Sequence, residues 1–263
     1  MFRTIEISDP ALETDNLRWV TVKSRALRER ADLTLFVPHE AAPNANLPLI
    51  ILLHGVYGSH WAWPLKGGAH RTAASLIAAG EIPPLILAMP SDGLWGDGSG
   101  YLRHPHQDFE RWILDEVPAA AQQAVPSLGS SPPLFVSGLS MGGFGALRLA
   151  GKYPEKFRAA GGHSSITRFE QFSQFVEEPL ERYACPVGDE SVLETLLVNR
   201  DRLPPLRFDC GTEDPLLEHN RELSRQLKRA GIAHRYEEFP GGHEWPYWQR
   251  HLADMLVFFA SHL

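Results

Sequence analysis

Ser140 sits in Gly138-Leu139-Ser140-Met141-Gly142, between the apolar run "PLFVSG" and a stretch rich in small residues. A simple turn needs one glycine or asparagine; it does not need glycine on both sides of a serine. G-x-S-x-G between a strand and a helix places the serine on a tight, strained turn. There the following helix turns its free N–H groups and positive dipole toward a developing oxyanion. The chemistry this suggests is nucleophilic attack by the Ser140 hydroxyl. The alternative is a glycine-rich turn that only lets strand and helix pack closely.

A serine hydroxyl needs a base to take its proton. On this motif the partners follow in the order serine, acid, histidine. The chain has 12 histidines, of which six follow Ser140. His219 and His251 fall in helical patterns and His234 in a strand. His163 precedes any suitable acid, and His262 is in the terminal tail. His243, in "FPGGHEWPYW", lies between the last strand-like segment and the last helix-like one. It is the candidate base. Three acids follow the strand-like "LRFDCG": Asp209 within it, then Glu213 and Asp214 on the next turn. Asp209 should point sideways into a helix layer. Asp214 is favoured over Glu213, although Asp before Pro is also an ordinary helix-start pair. The turn His54-Gly55-Val56 offers the Val56 N–H as one oxyanion donor, and the Met141 N–H is the second. His54 reads as structural, bonded to nearby backbone. Asp92 and Asp97 in "SDGLWGDGSG" read as turn formers.

The elements that must hold these residues alternate along the chain. Trp19 to Ser24 and Leu33 to Val37 alternate apolar and polar residues, as half-buried antiparallel strands do. "PLIILLHG", "PLILAMPS" and "PLFVSG" are continuous apolar runs, as expected of strands buried on both faces. Ala233 to Phe239 is more polar and belongs near an edge. Phe109, Trp112, Ile113 and Val117 share a helical face that Pro118 should kink or end. Leu216, Asn220, Leu223 and Leu227 form a second stripe, and Leu252, Met255, Leu256 and Phe259 a third. This alternation predicts an α/β fold, a mainly parallel central sheet with helices on both faces, in one domain spanning 1–263. An insertion at about 163–205 is too long for a connecting loop and should rise over the serine. Its Phe172 and Phe175, with His163, Trp61, Trp63 and Trp95, are candidate pocket residues.

Bulk properties narrow the partners. The formal net charge is −7, and no basic cluster interleaves with aromatics, which argues against nucleic acid. No segment approaches the ~20 apolar residues of a membrane span, and the N-terminal stretch lacks a secretory pattern. A cytoplasmic location is therefore expected, with Cys185 and Cys210 reduced. No metal or organic cofactor is expected, since neither H-E-x-x-H nor Cys-x-x-Cys occurs. Oligomeric state stays open, a homo-oligomer included.

Together "LLHGVYGSHWAW", "GLSMGGFGAL", "DCGTEDPLLEHNREL" and "GGHEWPYW" resemble the esterase group of α/β-hydrolases. That group holds tributyrin esterase, feruloyl esterases, S-formylglutathione hydrolase and the mycolyltransferases. The resemblance covers nearly the whole chain and implies an α/β-hydrolase fold. It implies Ser140 as nucleophile, Asp214 as acid and His243 as base, with Val56 and Met141 lending N–H groups. It further implies a serine carboxylesterase acting on small, short-acyl or aryl esters without a cofactor. The formylglutathione enzymes carry a cysteine after the oxyanion turn, where this chain has Val56-Tyr57-Gly58-Ser59. That departure lowers glutathione thioesters as substrates. An acyltransferase or thioesterase using the same residues is the alternative. A non-catalytic binding protein is more remote, because such a protein would most naturally have lost one of the three.

Overall fold

A computed structural model describes residues 2–39 and 45–263. Its nine strands are β1 (Ile5–Ile7), β2 (Leu17–Lys23), β3 (Arg30–Phe36), β4 (Leu49–Leu53), β5 (Ile86–Pro90), β6 (Leu134–Gly138), β7 (Ala159–His163), β8 (Leu206–Gly211) and β9 (Arg235–Phe239). They form one sheet in the order β1-β2-β3-β5-β4-β6-β7-β8-β9. The pairings β1–β2, β2–β3 and β3–β5 are antiparallel; every pairing from β5 across to β9 is parallel.

The apolar runs become the central strands because both sheet faces are covered. Side chains alternate faces along a strand, so a run such as "LIILL" feeds two cores at once. Leu49, Ile51 and Leu53 of β4 join one core and Ile50 and Leu52 the other. Strand β9 carries only partly buried or exposed residues, in keeping with its place at the edge.

Helices α1 (Ala62–Leu65), α2 (Ala69–Ala78), α3 (Phe109–Arg111), α4 (Val117–Ala124), α5 (Met141–Lys152), α6 (Val192–Val198), α7 (Leu217–Arg229) and α8 (Trp245–Ala260) complete the layers. Helices α2 and α8 bury Ala73, Leu76, Leu252, Met255 and Phe259 in one core. Helices α4 to α7 bury Ala120, Phe144, Leu147, Leu196 and Leu227 in the other. Pro118 does not end its helix. The path widens into a π-helical turn, Trp112–Glu116, immediately before it, and Pro118 enters the first turn of α4. A wider turn there accommodates a residue with no N–H to donate. Strand β7, sequence "AAGGH", and the short β1 lack any apolar-run signature, and the sequence reading did not single them out.

Between β7 and β8 the chain makes three short 3-10 turns and α6. Helix α6 packs on α5, the helix that follows Ser140. A largely buried ion cluster ties α5 to Glu110 of α3 and to Asp189, just ahead of α6. Arg148 of α5 meets Glu110 at 3.0 Å and Asp189 at 2.9 Å, and Lys152 reaches the same carboxylates at 2.7 and 2.6 Å.

Candidate active site

Ser140 stands between β6 and α5 with φ 54° and ψ −115°. This is the left-handed half of the map, where a residue with a Cβ is strained. The surroundings hold it there. Its N–H donates to the His163 carbonyl at 2.9 Å, and its own carbonyl accepts from Phe144 and Ile166. The flanking glycines are required by close approach. A Cβ on Gly138 would lie 2.4 Å from the Gly142 carbonyl carbon, and one on Gly142 would lie 2.3 Å from the Leu53 oxygen. A larger residue at Gly138 would push β6 and α5 apart, and one at Gly142 would push α5 away from β4.

Asp214 follows β8 and His243 follows β9. The two loops are bonded through backbone: Glu213 N–H donates to Gly241 at 3.0 Å, and Thr212 N–H to Phe239 at 2.9 Å. His243 Nδ1 lies 3.1 and 2.9 Å from the two Asp214 oxygens, and His243 Nε2 lies 3.0 Å from Ser140 Oγ. Asp214 is buried; its Oδ1 also accepts from Leu216 N–H at 2.8 Å, so it braces the turn before α7 as well. Glu213 is exposed, and the carboxylate against the imidazole belongs to Asp214. The structure therefore brings together the serine, the acid and the histidine that the sequence singled out. The other acid of that segment, Asp209, points into the protein as expected. It contacts His163 Nδ1 at 3.0 Å, Arg207 at 2.7 Å and the Tyr247 hydroxyl at 3.0 Å. Burial pushes its carboxyl up, but His163 and Arg207 outweigh that and hold it below the usual carboxylate range.

Val56 lines the cavity in front of Ser140, whereas Met141 is fully buried directly after the serine and is not among the lining residues. Met141 opens α5, and Val56 follows β4 on a turn whose next residue, Tyr57, has φ 57°. The cavity in front of Ser140 has a volume of about 250 Å³. Its walls are Tyr57, Trp61, Phe175, Trp245 and Trp248, with Lys66 at the rim. Phe175 stacks on the His243 ring at 5.0 Å and 28°, and Trp248 meets that ring edge-on at 5.0 Å.

Of the six expected pocket residues, Trp61 and Phe175 line the cavity and four do not. Trp63 is buried on the inner side of α1, its Nε1–H donating to the Leu53 carbonyl at 2.9 Å. Trp95 packs against His104 at 4.4 Å and Tyr183 at 4.9 Å, and so pins the insertion to the body. His163 ends β7 and is turned to Asp209. Phe172 is fully buried against Phe144 at 5.3 Å. Tyr57, Lys66, Trp245 and Trp248 were missed. The signal for the two tryptophans lay in "GGHEWPYW": the start of the helix that follows the base must face the base.

A largely parallel sheet with helices on both faces, bearing a serine on the strained turn after β6, defines an α/β-hydrolase of the serine-esterase class. Residues 24–259 match the family described as "Putative esterase", and the chain belongs to that family. It is similar to an acetyl esterase of Caldicellulosiruptor saccharolyticus, 26% identical over 228 residues, covering 80% of this chain and 82% of that protein. It is also similar to esterase Rv1288 of Mycobacterium tuberculosis, 29% identical over 205 residues, covering 64% of this chain and 43% of that longer protein. Among solved structures, a ferulic acid esterase superposes with a TM-score of 0.78 at 22% identity, covering 99% of both chains. An S-formylglutathione hydrolase of Staphylococcus aureus gives 0.77 at 18% identity, covering 98% of this chain and all of that one. No helix among the described residues is long and apolar enough to cross a membrane. Both cysteines are free.

Proposed function

We propose that the chain is a carboxylesterase for short-acyl or aryl esters, with Ser140, His243 and Asp214 as its catalytic triad. The observation that carries this is the continuous hydrogen-bonded line from Ser140 Oγ through His243 to Asp214. His243 Nε2 takes the hydroxyl proton as Oγ attacks the ester carbonyl. Asp214 holds the proton on Nδ1, so the tautomer is the useful one, and it stabilises the imidazolium that forms. The tetrahedral oxyanion is received by the Val56 and Met141 N–H groups. Imidazolium then protonates the leaving alcohol. A water, deprotonated by His243, cleaves the acyl-enzyme and restores the serine.

The substrate class rests on the cavity. Its size, about 250 Å³, is just below the ~300–1,000 Å³ common for small-molecule sites, and Tyr57, Trp61, Phe175, Trp245 and Trp248 give it aromatic walls. A short acyl chain or one aromatic ring fills such a space; a long alkyl chain needs an open groove. The acetyl esterase relative and the ferulic acid esterase neighbour act on small acyl or aryl esters by name, in agreement with this reading. The insertion at about 163–205 serves as a cap, with Phe175 as the part that reaches the base.

The test is a panel of nitrophenyl esters of increasing acyl length together with aryl acid methyl esters, with product analysis in added alcohol. Turnover of acetyl-to-butyryl or aryl esters should exceed that of chains of about ten carbons. A preference for long chains would overturn the substrate class. Transfer to alcohol in preference to water would convert the reading to an acyltransferase.

A further inference from the structure

His54 lies directly behind the proposed oxyanion site and has no part in the triad. It is 1% exposed. Its Nδ1 lies 2.7 Å from the Gly55 carbonyl oxygen. That oxygen can only accept, so Nδ1 carries the proton and donates it. The Gly55 carbonyl and the Val56 N–H are the two ends of one rigid peptide plane. Fixing the oxygen end therefore fixes the direction of the N–H at the other end. The Gly58 N–H also donates to the Gly55 oxygen, at 3.2 Å. The turn is shaped around the imidazole: a Cβ on Gly58 would lie 2.6 Å from His54 Nδ1.

The far side of the ring is enclosed. His54 Nε2 is buried without a hydrogen-bond partner, and the nearest carboxylate oxygen, Asp92 Oδ1, stands 3.6 Å away. Asp92 is 1% exposed, and its Oδ2 accepts from Ser99 N–H at 2.8 Å. Tyr101 contributes an edge-on ring contact at 5.8 Å, and its hydroxyl donates to the His54 carbonyl at 3.1 Å. Asp92 and Tyr101 thus pack around the ring in a buried cluster.

We propose that His54, held by its bond to the Gly55 carbonyl and packed against Asp92, is a positioning residue for the Val56 oxyanion donor. It acts through the Gly55–Val56 peptide and touches no substrate. A donor on a peptide carbonyl also polarises that peptide, which strengthens its N–H as a donor. The consequence falls on the transition state, where charge develops on the oxyanion, more than on ground-state binding. The inference rests on the triad reading above.

The experiment compares His54→Leu, His54→Asn and Asp92→Asn with wild type. The asparagine side chain can put an amide N–H where Nδ1 stands; leucine cannot. His54→Leu should lower kcat about 10- to 100-fold with KM little changed, less than the ~10²–10³ that follows complete loss of an oxyanion donor. His54→Asn should recover most of that loss, and Asp92→Asn should fall between the two. Affinity for a trifluoromethyl ketone should fall in step with kcat/KM, whereas affinity for a ground-state amide analogue should not. If leucine prevents folding, the asparagine pair and the ketone series still decide the matter. Equal losses for all three variants, or losses confined to KM and thermal stability, would overturn the role of His54. Fluorophosphonate labelling of the wild type keeps the two readings apart. An adduct away from Ser140 removes the triad reading, while an adduct on Ser140 with unaltered ketone affinity in the variants removes this inference alone.

Discussion

Replacing Ser140 by glycine should make the protein more stable than replacing it by alanine, and both variants should be inactive. The backbone at this position, φ 54° and ψ −115°, suits a residue without a Cβ. Holding a non-glycine residue there costs about 1–3 kcal/mol. Glycine gives back about 0.4–1 kcal/mol through its freer unfolded chain. The Ser140 side chain borders the cavity, so removing its Cβ forfeits little packing. Both variants lose the 3.0 Å bond from Oγ to His243, so that loss cancels in the comparison. The net difference is about 0.5–2 kcal/mol in favour of glycine. At about 2–4 °C per kcal/mol for a chain near this size, Tm should differ by roughly 1–8 °C. Calorimetry and urea titration of the two variants measure it, with the slope of the urea transition checked for constancy. A Ser140→Gly variant no more stable than Ser140→Ala would refute the claim that strain is stored at this serine.

Other expectations follow from the same contacts. Phe175→Ala should keep the fold, lower kcat/KM about 10-fold by freeing one face of His243, and shift the acyl preference toward longer chains; an unchanged length profile would refute its place in the pocket. Phe172→Ala should instead cost about 3–5 kcal/mol of stability with the length preference unchanged, since that ring is wholly in the core. Asp189→Ala leaves the buried Arg148 short of a partner and should cost about 3 kcal/mol in denaturant titration. Asp209, held below the usual carboxylate range with burial opposed by His163 and Arg207, contributes stability that is complete above its unfolded value of about 4 and is lost as pH falls through its folded value. Asp209→Asn should therefore flatten the acid limb of the stability curve below about pH 4, and an unaltered limb would refute the assignment.

What could be read from the sequence and what could not divide along physical lines. The central strands were legible because a strand buried on both faces must be a run of apolar residues, and "PLIILLHG" can hardly be anything else. Ser140, Asp214 and His243 were legible because each sits in a short loop just after a strand, so chain order alone puts them at one edge of the sheet. Strand β7 was not legible. It lies deep in the sheet, where the Met255 side chain closes on Gly161 and the Ser165 side chain on Gly162, so its residues had to be small. The pocket was only partly legible, because a tryptophan shortly after the Gly55–Val56 turn can point either way at the start of a short helix. Trp61 faces the cavity, and Trp63, two residues on, faces the Leu53 carbonyl.

The insertion makes the same point about direction more sharply. Phe172 and Phe175 stand three residues apart, a spacing that on a full helix would put both on one face. The segment is a 3-10 turn that ends at Gln174, and Phe175 lies just beyond it with φ −128° and ψ −17°. The change of backbone path sends one ring into the core against Phe144 and the other onto His243. Periodicity reads side-chain direction only while the backbone repeats, and here the backbone stops repeating where the insertion meets His243. The residue that links the insertion to the chemistry is therefore the one that breaks the pattern. Asp189 joins that same insertion to α5, the helix that follows Ser140, through Arg148 and Lys152. The insertion thus touches both sides of the site, α5 through Asp189 and the His243 ring through Phe175.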